Sequence, residues 1–423
     1  MYMPSKSQVP IHVMPTDKFK TTTITFKFMA PLSTDTMTER TLLSELLVRA
    51  TQKYPTDKAF KQHLSHLYGA YINSTVSKFK DQHVITISLE IVNERYLLDD
   101  TDLLDEGLAL LKEVIYHPLV TDGQFDSTFI TQEKRLLDNK LISIEDNKTQ
   151  LAYLKLLEHM FGDHPYRYPA IGLRTHLEAI TPEVLYDTYQ NMLHHDKCAV
   201  YVIGNVKKAQ TKAKIESAFN LKPFVYEPTA FGQVIDVTRP VNEVVETADI
   251  DQAKLNMGFR FPTQYCASNY ATFIVFNVMF GADPSSVLFS EVREKQSLAY
   301  SIHSQIDGKN GFLFVLSGVS SAAYHVAKET IITAFNQFKQ GAFTDEKMEL
   351  AKKIVLSHLK EIKDRPKQMI DQMHKQLLVD RPESEEAFEA RIHAVTREDI
   401  QQLCQQAQLD TIYILTKEGT EHA

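Results

Sequence analysis

Thr181-Pro182-Glu183-Val184-Leu185, with the apolar run that ends at Val202-Ile203, has a counterpart in Thr396-Arg397-Glu398-Asp399-Ile400 and the run that ends at Ile414-Leu415. In both, a threonine stands where a helix needs its N-cap, an acidic residue occupies the first turn, and a short β-branched stretch follows. Pro182 adds a preset φ at the first helical position. A helix-then-strand unit that recurs after roughly 200 residues is too widely spaced for a solenoid and points to two similar domains.

Working outward, the order of elements also recurs. In the first half, residues 11–14 and 21–29 read as strands. A helix over 35–54 follows, with Leu42, Leu43, Leu46 and Leu47 as its apolar face. A second helix over 57–68 stops at Gly69, a natural helix terminator. Strands over 70–80 and 84–92, a helix over 101–116 and a helical tract over 122–161 complete the pattern. Pro223, Pro228 and Gly232 mark a linker over 221–233. Beyond it come strands at 242–247 and 255–261 and helices at 267–280 and 285–295. Strands at 299–305 and 312–318 and helices at 322–340 and 345–363 follow. The reading is therefore α+β: domains over 1–220 and 234–423, each a largely antiparallel sheet packed against long helices.

The 423 residues carry a formal charge of −8 and are 43% apolar, enough for large cores and too acidic overall for non-specific phosphate binding. The basic residues between Lys352 and Lys363 are spaced like a solvated helix face. Cys198, Cys266 and Cys404 are odd in number and far apart, which argues against a disulfide framework and against a CxxC metal knot. The first ten residues lack the apolar core of a signal peptide. The most apolar stretch, 270–282, is too short for a bilayer and contains Asn277. A cytoplasmic location is expected.

The sharpest motif is Ser285-Ser286-Val287-Leu288-Phe289-Ser290-Glu291-Val292-Arg293-Glu294-Lys295-Gln296-Ser297-Leu298-Ala299-Tyr300. It resembles the S-x-L-F-x-x-(V/L)-R-E-K-x-G-L-A-Y motif in the C-terminal domain of the pitrilysin/insulinase family of zinc peptidases, which includes the mitochondrial processing peptidases. Only the glycine differs, replaced by Ser297. His164-Pro165-Tyr166-Arg167-Tyr168-Pro169-Ala170-Ile171-Gly172 is similar to the family's HPYgxPxxG segment. Leu67 to Thr75 is similar to its GaxxNAxT strand entry, which implies Asn73 and Ser74 as substrate-binding positions. The resemblance spans nearly the whole chain. Helix, strand and cap signals alone carry no further than a duplicated α+β fold.

One departure is decisive. The family binds zinc through H-x-x-E-H on a helix, where positions i and i+4 share a face and the glutamate activates the metal-bound water; a distal glutamate is the third ligand. Here the matching positions are Leu42, Leu43, Ser44, Glu45 and Leu46. The distal E-x6-E reads Glu133 and Lys140. Glu45, the counterpart of the general base, stays, while all three ligand positions are lost. No cofactor is expected in this chain. Lys155-Leu156-Leu157-Glu158-His159-Met160 imitates part of the lost motif but lacks its first histidine. His63 and His66 read as surface or packing histidines rather than ligands.

Arg293 and Tyr300, as residue types alone, read as a helix-end arginine and a core tyrosine. The resemblance implies another role, in which they reach the scissile peptide and hydrogen-bond its carbonyl. The chain thus resembles the non-catalytic, YmfF-like members of the family in Gram-positive bacteria. That resemblance implies a heterodimer: a homologue bearing H-x-x-E-H supplies the zinc, and this chain lends Arg293 and Tyr300 in trans to a peptide enclosed between them. A structural or peptide-binding scaffold without proteolysis, homodimeric when alone, is the alternative, and a hydrolase with unrecognised ligands the third reading.

Overall fold

The computed structural model describes residues 10–227, 239–379 and 383–418. The N-terminal nine residues, on which the absence of a leader is read, and residues 228–233 of the expected linker lie outside the described residues.

The first half contributes strands β1 (Ile11–Pro15), β2 (Thr21–Pro31), β3 (Tyr71–Phe79), β4 (Gln82–Val92), the short β5 (Val120–Thr121) and β6 (Gln124–Phe125), and β7 (Lys197–Gly204). Its helices are α1 (Thr34–Leu47), α2 (Asp57–His66), α3 (Leu103–Tyr116), α4 (Ser127–Asp146), α5 (Lys148–Phe161), α6 (Pro182–His195) and α7 (Lys208–Ala218). The second half contributes β8 (Asn242–Thr247), β9 (Gln252–Arg260), β10 (Ala299–Asp307), β11 (Phe312–Ser320) and β12 (Gln408–Thr416). With them come α8 (Tyr270–Asn277), α9 (Tyr324–Lys339), α10 (Asp345–Ile362), α11 (Pro366–Lys375), α12 (Glu385–Ala394) and α13 (Arg397–Gln405).

The duplication is topological. The first sheet has the order β1-β7-β2-β4-β3 and the second β8-β12-β9-β11-β10. In each, the outermost pair, β1 with β7 and β8 with β12, is parallel and the rest antiparallel. Strand alternation places Ile24, Phe26 and Phe28 of β2 and Ile85, Ile87 and Leu89 of β4 in one core with Leu42, Leu43, Leu46 and Leu47 of α1. In the second core Leu255, Met257 and Phe259 of β9 meet Phe276 and Phe280 after them and Phe335 of α9. Thr181 and Thr396 cap α6 and α13 through their side chains, and Pro182 opens α6.

Two compact units result, but they are not consecutive stretches of chain. The first runs through Ser143, resumes at Tyr168–Glu227 and takes in Arg365–His374. The second takes in Ile144–Arg167 along with the rest of the C-terminal half. Thus α5, from the first half, lies on the second sheet, and most of α11, from the second half, belongs with the first. A single boundary at 221–233 does not carry this exchange.

Local differences have local causes. The first helix ends at Leu47, not near residue 54. The tract expected as helix over 122–161 opens with the β5–β6 hairpin and breaks at Asn147, whose side chain caps α5. Helices α7, α11 and α12 are absent from the sequence reading because few of their residues are apolar: the buried ones are Thr211 and Ile215, Ile370 and His374, and Ile392.

Candidate functional site

Helix α1 begins at Ser33, whose hydroxyl accepts from the Asp35 amide. It carries Leu42 and Leu46 on its inner face, 0% and 4% exposed, within the first core. Glu45 points to the rim. There Lys140 of α4 reaches it, Nζ to Oε1 2.8 Å, with side chains 56% and 30% exposed. So the structure does bring the matched positions together, and a lysine–carboxylate pair stands beside two packed leucines. At that exposure the pair is worth no more than about 1 kcal/mol, so the leucines and not the ion pair hold this region. Glu133, one turn and more before Lys140, is buried; Arg49 Nη1 lies 3.1 Å from its Oε1. Burial pushes the Glu133 carboxyl above the ordinary carboxylate range, against the pull of Arg49. Arg49 also faces Asp57 and donates to Gln132. Among the described residues no group of three or more His, Cys, Asp or Glu side chains could hold a metal ion. Residues Leu42 and Leu46 offer no nitrogen or oxygen donor, and the Lys140 ammonium has no lone pair to give.

A buried network missed by the sequence reading fixes α1. Arg40 Nη2 is 2.8 Å from Asp196 Oδ2, both side chains almost fully enclosed. Its Nε donates to His83 Nδ1 (3.1 Å), which leaves the Nε2 proton for the Ala170 carbonyl at 2.9 Å. The Tyr168–Gly172 end of the HPY segment is thereby tied to α1. Gly172 has φ +93, and a Cβ there would fall 2.3 Å from Thr38 Oγ1, so only glycine fits this crossing. Burial, reinforced by Arg40, holds the His83 imidazole down from 6.5 to about 4. The unfolded chain takes up a proton below 6.5 that the folded chain refuses until about 4. This site therefore contributes its full stability above pH 6.5 and loses about 1.4 kcal/mol per pH unit as pH falls between those values. Thermal melts of the wild type should drop steeply across that window, and His83→Gln should flatten the slope. An unchanged slope in the variant contradicts the assignment.

Asn73 and Ser74 lie on β3, at the edge of the first sheet, opposite Ser88 and Ile87 of β4. The Asn73 Oδ1 and Ser74 Oγ atoms are shielded from solvent and have no hydrogen-bond partner among the described residues.

In the second unit the helix leading to Arg293 is wound as a π-helix over Phe289–Lys295. Such wide turns are uncommon and recur at functional sites. Arg293 is exposed, its guanidinium 4.7 Å from the Phe289 ring centroid. The turn closes with Ser297 at φ +52 and a hydrogen bond from the Leu298 amide to the Val292 carbonyl. A serine in this left-handed conformation costs about 1 kcal/mol that a glycine would not, so the backbone here takes a turn better suited to glycine. In β10, Ala299 pairs with Val319 and Ser301 with Gly318, which leaves Tyr300 as the extra residue of a bulge. Bulges re-aim side chains. Tyr300 is 62% exposed and is not a core tyrosine.

Comparison with known proteins adds the following. Residues 179–355 match the family model described as the peptidase M16 inactive domain. The chain is 34% identical over 412 residues to the probable inactive metalloprotease YmfF of Bacillus subtilis, covering 97% of this chain and 96% of that one. It is 24% identical over 259 residues to an uncharacterized zinc protease of the same bacterium, YmxG, covering 59% and 60%. The crystal structure of a conserved protein from Enterococcus faecalis superposes with a TM-score of 0.90 at 30% identity, covering 99% of both chains.

Proposed function

Since the chain belongs to the M16 peptidase family, as a member without the H-x-x-E-H motif, we propose that it is the catalytically incomplete subunit of a two-chain zinc metallopeptidase. The observation that carries this reading is an asymmetry within one chain. The metal positions are filled by buried Leu42 and Leu46 and by Lys140, while the turn bearing Arg293 and the bulged Tyr300 leaves both side chains in solvent. Two exposed hydrogen-bond donors on so constrained a turn support a role in binding a peptide.

In this reading an H-x-x-E-H homologue would hold the zinc, and with it would come the Lewis-acid chemistry of peptide hydrolysis. Residues Arg293 and Tyr300 donate to the carbonyl oxygen as charge develops on it. The edge strand with Asn73 and Ser74, whose shielded oxygens lack partners among the described residues, supports a peptide-binding role. Three free cysteines, two of them buried, suit a reducing cytoplasm, and no described helix is long and apolar enough to cross a membrane.

The test is to purify the chain alone and with each H-x-x-E-H homologue from its own genome. The chain alone should carry no stoichiometric zinc and cleave no peptide. One mixture should give an equimolar complex that holds one zinc and cleaves peptides. A tightly bound zinc in the isolated chain, lost on changing Glu45, overturns the reading. So does the failure of every homologue to pair, which leaves the scaffold.

A further inference from the structure

We propose that the open face of the second sheet carries a carboxylate-binding subsite, formed by Lys254 and Ser301 across Gly318, that holds a carboxylate of a bound peptide. The proposal rests on the reading of this chain as a peptide-binding subunit and names the peptides it prefers.

Alternation along the strands divides this sheet into two faces. Leu255 and Met257 of β9, Val315 and Val319 of β11 and Ile302 of β10 turn into the second core. The residues between them face the other way. At one end α5 covers that face. Met160 packs where Gly258 leaves β9 without a side chain, and Tyr153 meets Phe314 edge-on at 5.4 Å. Arg260, the cation at that end, has its partner in the enclosed Asp410 at 2.6 Å.

The other end is built differently. Lys254 of β9 and Ser301 of β10 stand directly opposite Gly318 of β11, one on each side. Neighbouring strands lie about 4.8 Å apart, so an ordinary side chain at 318 would stand between the two. Glycine leaves that space empty, and both side chains lean into it. A Cβ on Gly318 would lie 3.2 Å from Ser301 Oγ and 3.6 Å from Lys254 Nζ, with Gln252 Oε1 at 3.4 Å. The φ of Gly318 is not in the left-handed region, so the backbone does not call for glycine here; what the glycine supplies is room.

Lys254 is half-buried, yet it has neither an ion pair nor a hydrogen bond among the described residues. Glu246, two strands away in the same row, is engaged by the Tyr413 hydroxyl at 2.9 Å and faces His159 at 3.7 Å. An ammonium drawn over a sheet without a counter-ion has given up hydration with nothing in exchange, and a carboxylate supplies what is missing. The Ser301 hydroxyl is a second donor, and rotation of the Gln252 amide offers a third through Nε2. Ser301 directly follows the bulged Tyr300, so a peptide held by Tyr300 has this subsite beside it.

The test is retention of peptides from a random decapeptide library, made once with free C-terminal carboxylates and once as C-terminal amides. The immobilised chain is used alone and with an H-x-x-E-H homologue whose motif glutamate is changed to glutamine, and retained peptides are read by mass spectrometry. Wild type should prefer carboxylate-bearing peptides by about tenfold or more. Loss of the preference on amidation assigns the C-terminal carboxylate; continued retention of amides that contain Asp or Glu assigns the side chain. Lys254→Met and Gly318→Ala, the second by placing a methyl in the gap, should each cut the preference by about tenfold and melt like wild type. Rising salt should weaken binding to wild type and spare Lys254→Met. Retention indifferent to carboxylates, or a preference unchanged in both variants, overturns the subsite and leaves the peptide-binding reading standing. A wild-type chain that retains no peptide, alone or paired, overturns both.

Discussion

Replacing Leu42 and Leu46 together by histidine, which restores the i, i+4 imidazole spacing of a metal helix, is expected to unfold the chain rather than load it with zinc. Each leucine is enclosed in the first core, so each contributes roughly 1.5–3 kcal/mol through burial. Each new imidazole would bury polar nitrogens without partners at about 1–3 kcal/mol. The combined loss of about 5–12 kcal/mol rivals the whole stability of a typical domain, about 5–15 kcal/mol. Single Leu46→His should already lower the melting temperature by many degrees. Thermal denaturation and elemental analysis of the double variant decide the matter. A stable double variant holding one zinc would mean that the old site has not collapsed onto its leucines.

Arg293→Ala and Tyr300→Phe should leave the fold and pairing of the chain intact and slow turnover by the zinc-bearing partner. Both side chains are exposed, so neither substitution opens a cavity. Loss of a donor to a developing oxyanion costs about 2.7–4 kcal/mol, which is about 100- to 1000-fold in rate, and it should fall on kcat more than on KM. Steady-state kinetics of the paired enzyme, with complex formation checked by gel filtration, separates the cases. Wild-type turnover from both variants would make these residues structural and favour the scaffold.

Much of the fold is legible because its signals are local. The caps at Thr181 and Thr396, the β-branched run of β2 and the recurrence of helix before strand are short-range patterns, and the structure realises each. The residues at the positions matched to the family's metal motif, Leu42, Leu46 and Lys140, are legible for the same reason, since three positions suffice. The network around Arg40 is not: its partners His83, Ala170 and Asp196 lie far along the chain, and none belongs to a spacing motif. The helix exchange is invisible in sequence because periodicity tells which face of a helix is apolar but not which sheet receives it. Tyr300 shows a further limit. Alternation along a strand assigns its residues to faces, and one bulge is enough to shift that assignment.

The crossing of α5 and α11 also bears on ancestry. A gene doubled in tandem, each copy folding upon itself, would leave both helices on the sheet of their own half. Reciprocal placement is instead the arrangement expected of two copies that traded the same helix before their genes were joined. On that account the two halves can diverge in their outer turns, where one carries Leu42, Leu46 and Lys140 and the other Arg293 and Tyr300. They have not been free to diverge along the traded helices, where a change at Met160 must be answered at Gly258, nearly a hundred residues away in the other ancestral copy.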